Sequence, residues 1–190
     1  DGDLDLVANE IGGGRVAVVR NDGGRFVRPV EYRVPQIGNE RPGLSGLELA
    51  DVDGDGDLDV FCPALLLEQT QKVVTFVNDG KGALVERLVG EGSPTGYTFC
   101  AHLADLDGDG DLDAVFANDG ADKVYINEGG DSGGRPGDFS VSDQNLGDSW
   151  SSAVALGDVD GDGYLDAVFA NSGGSTVWRN DGAGAFYTST

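Results

Sequence analysis

Four carboxylates fall within nine residues at three places in the chain: Asp51, Asp53, Asp55 and Asp59 in DVDGDGDLD, Asp105, Asp107, Asp109 and Asp113 in DLDGDGDLD, and Asp158, Asp160, Asp162 and Asp166 in DVDGDGYLD. Acids at loop positions one, three and five, with Gly at four and six, set hard oxygens on one side of a tight turn. That arrangement wraps Ca²⁺, which takes roughly six to eight oxygen ligands at about 2.3 to 2.6 Å. Gly56, Gly110 and Gly163 hold position six, where the backbone must turn sharply and a side chain would obstruct it. Position nine adds a fourth carboxylate. At position seven the expected ligand is a backbone carbonyl, from Asp57, Asp111 or Tyr164; a tyrosine is acceptable where only the main chain binds. The chain opens on the tail of the same loop, DGDLD, with Asp1, Asp3 and Asp5 at positions five, seven and nine.

Asp and Gly are also common turn residues, so one DxDG would carry little weight. Three complete copies in register carry more, because carboxylates crowded this closely repel one another unless a cation lies among them. Magnesium fits less well, since it keeps its waters and seldom takes an all-protein cage. An EF-hand would need a Glu at position twelve and flanking helices. Position twelve is Cys62, Phe116 and Phe169, and the flanks LDVFCPA and LDAVFAN are apolar and β-branched. These flanks read as strands, so each loop is expected to join two β-strands.

The loops recur at intervals of 54, 54 and 53 residues, which marks a supersecondary unit in tandem. A second signal keeps the same period. NDGGRF, NDGKGAL, NEGGDSGGRPGDF and NDGAGAF begin at Asn21, Asn78, Asn127 and Asn180, and Asn, Asp and Gly suit hairpin turns. They are placed between third and fourth strands, with the outer strand of the first repeat starting near Phe26. The third turn carries an insertion, 131–138, expected to be a flexible tip. The connection Leu65 to Gln71 is expected to expose apolar residues. Second strands such as DAVFA are apolar on both faces, as suits a sheet packed between two neighbours.

The pattern LADxDGDGDLDxxxAN, followed about twenty residues later by NDGxGxF, resembles the FG-GAP or VCBS repeat that builds the β-propeller of integrin α chains. The resemblance covers nearly the whole chain. It implies an all-β propeller of four-stranded antiparallel blades, with calcium between the first and second strands of each. The repeats then fall at about 1–42, 43–96, 97–149 and 150–190, giving three complete blades and a first blade lacking its inner strand. Part of a larger propeller, or one completed by another segment or chain, is the expectation.

Acidic residues number 34 against 12 basic, for a net charge of −22, and seventeen of the acids lie in the loops. So acidic a surface argues against nucleic acid, which requires a basic patch, and against anionic membranes. No apolar run reaches the length of a membrane-spanning helix. The chain starts inside a motif and reads as a mature or trimmed piece. Cys62 and Cys100 fall on adjacent blades, which leaves open either a disulfide or two buried thiols.

In integrin-like propellers the face opposite the calcium loops binds ligands. By that resemblance this face would present Tyr97 and Trp150, each eight residues before its loop, with Asn9, Glu10, Asn118, Asp119, Asn171 and Ser172. Aromatics beside amides could stack on and hydrogen-bond a sugar; Tyr97 and Trp150 could equally be packing between blades. His102 is the only histidine and has no carboxylate beside it in sequence, which suits a structural role. No GxSxG, HExxH or phosphate-binding loop occurs. The reading is an extracellular, calcium-binding propeller module that binds protein or carbohydrate, with a binding role favoured over an enzymatic one. A polysaccharide-active propeller and a purely structural spacer are the alternatives.

Overall fold

The computed structural model describes residues 2–34, 36, 42–65, 72–81, 83–89, 97–129, 135 and 137–188. Asp1, most of the 65–71 connection and most of the 131–138 insertion therefore lie outside the described residues. The described elements are all strands. The first repeat gives β1 (Leu6–Glu10), β2 (Arg15–Val19), a two-residue hairpin of β3 (Asn21–Asp22) and β4 (Arg25–Phe26), and β5 (Val30–Arg33). The second gives β6 (Gly43–Leu44), β7 (Glu48–Ala50), β8 (Asp59–Leu65), β9 (Lys72–Asn78) and β10 (Leu84–Val89). The third gives β11 (Thr98–Ala104), β12 (Asp113–Asn118), β13 (Lys123–Asn127) and β14 (Phe139–Val141), and the fourth β15 (Ser151–Gly157), β16 (Asp166–Asn171), β17 (Thr176–Asn180) and β18 (Phe186–Tyr187).

The third and fourth sheets run β11-β12-β13-β14 and β15-β16-β17-β18, each an antiparallel meander of four strands. The first sheet has three, β1-β2-β5, so β1 lies at an edge where β12 and β16 have an inner neighbour. These are propeller blades, and among the described residues no sheet closes on itself. Two details differ from expectation. The outer strand of the first blade is β5, because NDGGRF folds into the β3–β4 hairpin before the chain returns to pair with β2. The inner strand of the second blade is split into β6 and β7, both paired with β8. Pro63 on β8 brings no N–H to the ladder, and opposite it Ser45 N donates to the Pro63 carbonyl at 3.1 Å.

Period-two side-chain direction explains why strands apolar on both faces are stable here. On β8, Val60 and Cys62 pack with Val16, Val34, Val74 and Phe76 against the first blade. Phe61, between them, points the other way and joins Ala114, Phe116, Tyr125 and Phe139 of the third. On β12 the alternation repeats, with Val115 and Ala117 packed on Ala167 and Phe169 of the fourth blade. Each buried Phe or Val contributes about 1.5 to 3 kcal/mol, so the core is divided among three blade boundaries, as in other repeat architectures.

The same alternation settles the cysteines. Cys62 packs toward the first blade and Cys100 toward the fourth, and both are free thiols. A disulfide between them is ruled out by their facing opposite boundaries. Burial pushes the Cys62 thiol up to about 12.

Candidate functional site

Each complete acidic loop spans the gap between the inner strand and the second strand of its blade: β7 to β8, β11 to β12 and β15 to β16. Glycines at positions four and six both take left-handed backbone, with φ of 72° and 95° at Gly54 and Gly56, 83° and 95° at Gly108 and Gly110, and 82° and 97° at Gly161 and Gly163. Only glycine takes that conformation without strain. The turn folds positions one, three and nine together. One carboxylate oxygen from each of Asp51, Asp53 and Asp59 lies within 4.8 Å of the others, and the same holds for Asp105, Asp107 and Asp113, and for Asp158, Asp160 and Asp166.

Position-five acids fall outside these triads, and one oxygen of each braces the turn: Asp55, Asp109 and Asp162 each accept the N–H of position seven through Oδ1, at 3.0, 2.9 and 2.9 Å. Position nine does two jobs. Its Oδ2 accepts the N–H of position two, from Val52, Leu106 and Val159 at 3.0, 2.9 and 2.9 Å. Its Oδ1 accepts the N–H of Asn78, Asn127 and Asn180 at 2.7, 2.8 and 2.9 Å. Asp5 accepts from Asn21 N at 2.7 Å, so the opening fragment keeps the position-nine geometry, while Asp3 accepts from Gly23 N at 2.9 Å.

Burial first, and charge crowding after it, show in the titration of these groups. Burial pushes the Asp113 carboxyl up to about 7, against two backbone N–H groups that pull it down. Burial likewise raises Asp59, Asp53 and Asp107, and neighbouring acids add to the effect. Partial relief comes from Arg87, 3.7 Å from Asp53, and from Arg179, 3.2 Å from Asp160. Among the described residues the Oδ1 atom of Asp53 is buried with no hydrogen-bond partner, a costly state for a carboxylate oxygen. An all-oxygen donor set, several acids in one turn and that buried oxygen fit a hard divalent cation.

On the far edge of the sheets, Trp150 and Tyr97 occupy equivalent places. The Tyr97 carbonyl accepts from Asp119 N at 2.8 Å and the Trp150 carbonyl from Ser172 N at 3.0 Å. Both rings are about half exposed, and Trp150 leans on Phe99 of the neighbouring blade with ring centres 5.8 Å apart. Trp150 walls an open cavity of about 220 Å³ with Ser152, Ala170, Asn171 and Ser172. Asn118 does not join them. It is buried, receives the Thr98 hydroxyl at 2.7 Å and donates to the Ala121 carbonyl at 2.7 Å, so its amide is used up inside the blade. Asn9 likewise spans to the Leu44 and Gly46 carbonyls at 3.0 Å each, and Glu10 pairs with Arg15. A further cavity, of about 350 Å³, lies between the first and second blades beside Leu4, Val7 and Leu84.

Three features escaped the sequence. Asp122 is buried and bridges blades: Oδ1 accepts Asn118 N at 2.8 Å and Oδ2 lies 2.6 Å from Ser151 Oγ, while burial lifts its carboxyl to about 6. His102 Nδ1 lies 3.3 Å from Glu48 Oε1, and Glu48 Oε2 accepts Leu103 N at 3.1 Å. Both residues stand three before their loops, and that shared offset was the available signal. The turn asparagines also reach across blades, with Asn127 Nδ2 donating to Val52 O and Asn180 Nδ2 to Leu106 O.

No curated protein matches the chain. Among solved structures, an Agrocybe aegerita lectin described as recognising non-reducing terminal N-acetylglucosamine is 21% identical over 97% of this chain and 64% of its own, with a TM-score of 0.44. A Photorhabdus luminescens Tc holotoxin pore is 14% identical over 97% of this chain and 12% of its own, with a TM-score of 0.33. This chain therefore spans less than two thirds of either. Among the described residues no helix is long and apolar enough to cross a membrane. The FG-GAP-like repeat model matches residues 1–62 and 105–169, which together are well over half of the sequence and include the acidic loops. The chain belongs to the FG-GAP-like repeat family.

Proposed function

We propose that the chain is an extracellular β-propeller module whose three complete loops hold calcium and whose Tyr97–Trp150 edge binds a carbohydrate. The observation that carries the first half is the repeated triad, with carboxylate oxygens within 4.8 Å of one another in all three loops and a buried, unpartnered oxygen on Asp53. The coordinating residues are the acids at positions one, three, five and nine of each loop, with the carbonyls of Asp57, Asp111 and Tyr164. When bound, calcium supplies the positive charge that offsets this crowding. The chain's own part is to fix the turn through its glycines and to hold position nine in place. Extracellular modules of this kind bind calcium at about 10⁻⁴ to 10⁻³ M, so the loops would fill outside the cell and empty inside it.

Support for the second half is the half-exposed indole of Trp150 in a cavity it shares with Ser152 and Ser172; the Asn171 amide is engaged inside the blade by Ser151 and Thr176. A flat apolar face with hydroxyl groups at its edge suits a sugar ring, which has both an apolar and a hydrogen-bonding face. The test is a glycan array probed in calcium, with Trp150→Ala alongside. Retention on a defined glycan group, reduced about tenfold or more by the substitution, is the expected result. Retention of a protein partner with no glycan retained would reassign the edge, and no retention of either would refute a binding role there.

A further inference from the structure

The three complete loops share one backbone, so charge is what separates them. Glycines four and six take the same left-handed conformation in each, and in each the oxygens of positions one, three and nine converge within 4.8 Å. The acids differ in number. The Asp51 loop has five, at Asp51, Asp53, Asp55, Asp57 and Asp59, and the Asp105 loop has five, at Asp105, Asp107, Asp109, Asp111 and Asp113. The Asp158 loop has four, at Asp158, Asp160, Asp162 and Asp166, because Tyr164 stands at position seven.

Two arginines widen the difference, and both act on position three. Arg87, on β10, lies 3.7 Å from Asp53 Oδ2, with the two side chains 20% and 14% exposed. Arg179, on β17, lies 3.2 Å from Asp160 Oδ2, with the carboxylate 18% exposed. The third blade has neither arginine. Counting from the turn asparagines, Ser142 holds the place of Arg87 and Ile126 the place of Arg179. Among the described residues no cationic side chain pairs with Asp105, Asp107 or Asp113. The formal charge is therefore −5 at the Asp105 loop, −4 at the Asp51 loop with Arg87, and −3 at the Asp158 loop with Arg179.

We propose that the loops take up calcium in a fixed order, Asp105 first, Asp51 second and Asp158 last, with Arg87 and Arg179 weakening the later two. This rests on the calcium reading above. Loops of this kind tune their affinity by the charge and rigidity of the ligand set, and here the backbone is the same in all three. A guanidinium beside the position-three carboxylate opposes an incoming cation through partly screened surroundings, a smaller effect than loss of a ligand. The chain then responds to calcium over a range of concentrations in place of a single threshold.

Calorimetric titration of the full chain with calcium chloride tests this. Three steps are expected, spread over about a hundredfold in Kd, at about tenfold for each unit of charge. Asp105→Asn, Asp51→Asn and Asp158→Asn are expected to remove the tightest, the middle and the weakest step respectively. Arg179→Gln should tighten the weakest step about tenfold, whereas Arg179→Lys, which keeps the charge, should leave it within about twofold of the parent. The order read from the aspartate variants decides the matter even where an arginine variant does not fold. Three equal affinities, a different order, or a folded Arg179→Gln that binds no tighter overturns the proposal while leaving calcium in the loops. No heat of calcium binding, together with a melting curve that calcium does not move, overturns the calcium reading and this proposal with it.

Discussion

The side-chain amide of Asn180 donates to the carbonyl of Leu106 at 2.8 Å, across the boundary between the fourth and third blades. The same asparagine gives its backbone N–H to Asp166 at 2.9 Å and receives the Gly182 N–H at 3.1 Å. One residue therefore closes its own hairpin turn, anchors position nine of its own acidic loop and pins position two of the preceding loop. Asn127 repeats all three contacts with Val52, Asp113 and Gly129. The two repeated signals in the sequence, acidic loop and turn asparagine, are thus halves of one hydrogen-bonded unit that spans neighbouring blades.

Asn180→Ala removes this link and leaves the buried Leu106 carbonyl with the Gly184 N–H at 3.1 Å as its remaining donor. A loss of about 1 to 3 kcal/mol is expected, read as a lower urea midpoint in calcium with the slope unchanged. Because Leu106 is position two of the Asp105 loop, calcium titration should also show one of the sites weakened.

Gly182 takes φ of 83°, and a Cβ added there would lie 2.4 Å from the Tyr164 ring. Gly182→Ala is expected to cost about 1 to 3 kcal/mol from backbone strain alone, plus the displacement of the ring. Adding Tyr164→Ala should relieve the displacement and leave the strain, so thermal melts of the double variant should recover only part of the loss.

Ser151 has one hydroxyl proton and lies 2.6 Å from Asp122 Oδ2 and 2.7 Å from Asn171 Oδ1. It cannot donate to both; burial raises Asp122 from 3.8 to about 6, against the Ser151 hydroxyl and the Asn118 N–H, which pull it down. A carboxyl raised on folding binds its proton more tightly in the native state, so its contribution is intact below about pH 4 and is lost as pH climbs to about 6. The loss is on the order of 2 to 3 kcal/mol. In Asp122→Asn the amide can donate to Ser151, whose proton then serves Asn171. Denaturation at pH 4 and pH 7 should show the variant gaining on the parent protein as pH rises; a constant difference would contradict this assignment.

What could be read from sequence was what is encoded locally. Acids and glycines at fixed offsets define the loops, and alternation in DAVFAN fixes a strand buried on both faces, with Val115 turned one way and Phe116 the other. What could not be read depends on groups far apart in the chain. The Asn127–Val52 bond joins residues 75 apart, and His102 finds Glu48 only because consecutive inner strands lie side by side. Asn118 was expected at the surface, but register shifts between Thr98 and Cys100, and this irregularity accompanies a buried Thr98 that donates to it. The outer strand of the first blade was misplaced because a turn signal says where a chain reverses, not how soon it rejoins the sheet.

The claim on which the rest depends is that the clustered acids of the three loops are held by calcium. Thermal unfolding of the intact chain in excess calcium and in chelator tests it most directly, since an ion bound only by the folded state raises its stability in proportion to the logarithm of its concentration. The expected result is a melting temperature that climbs steadily with free calcium and drops sharply in chelator. A melting curve that is the same in both would contradict the account.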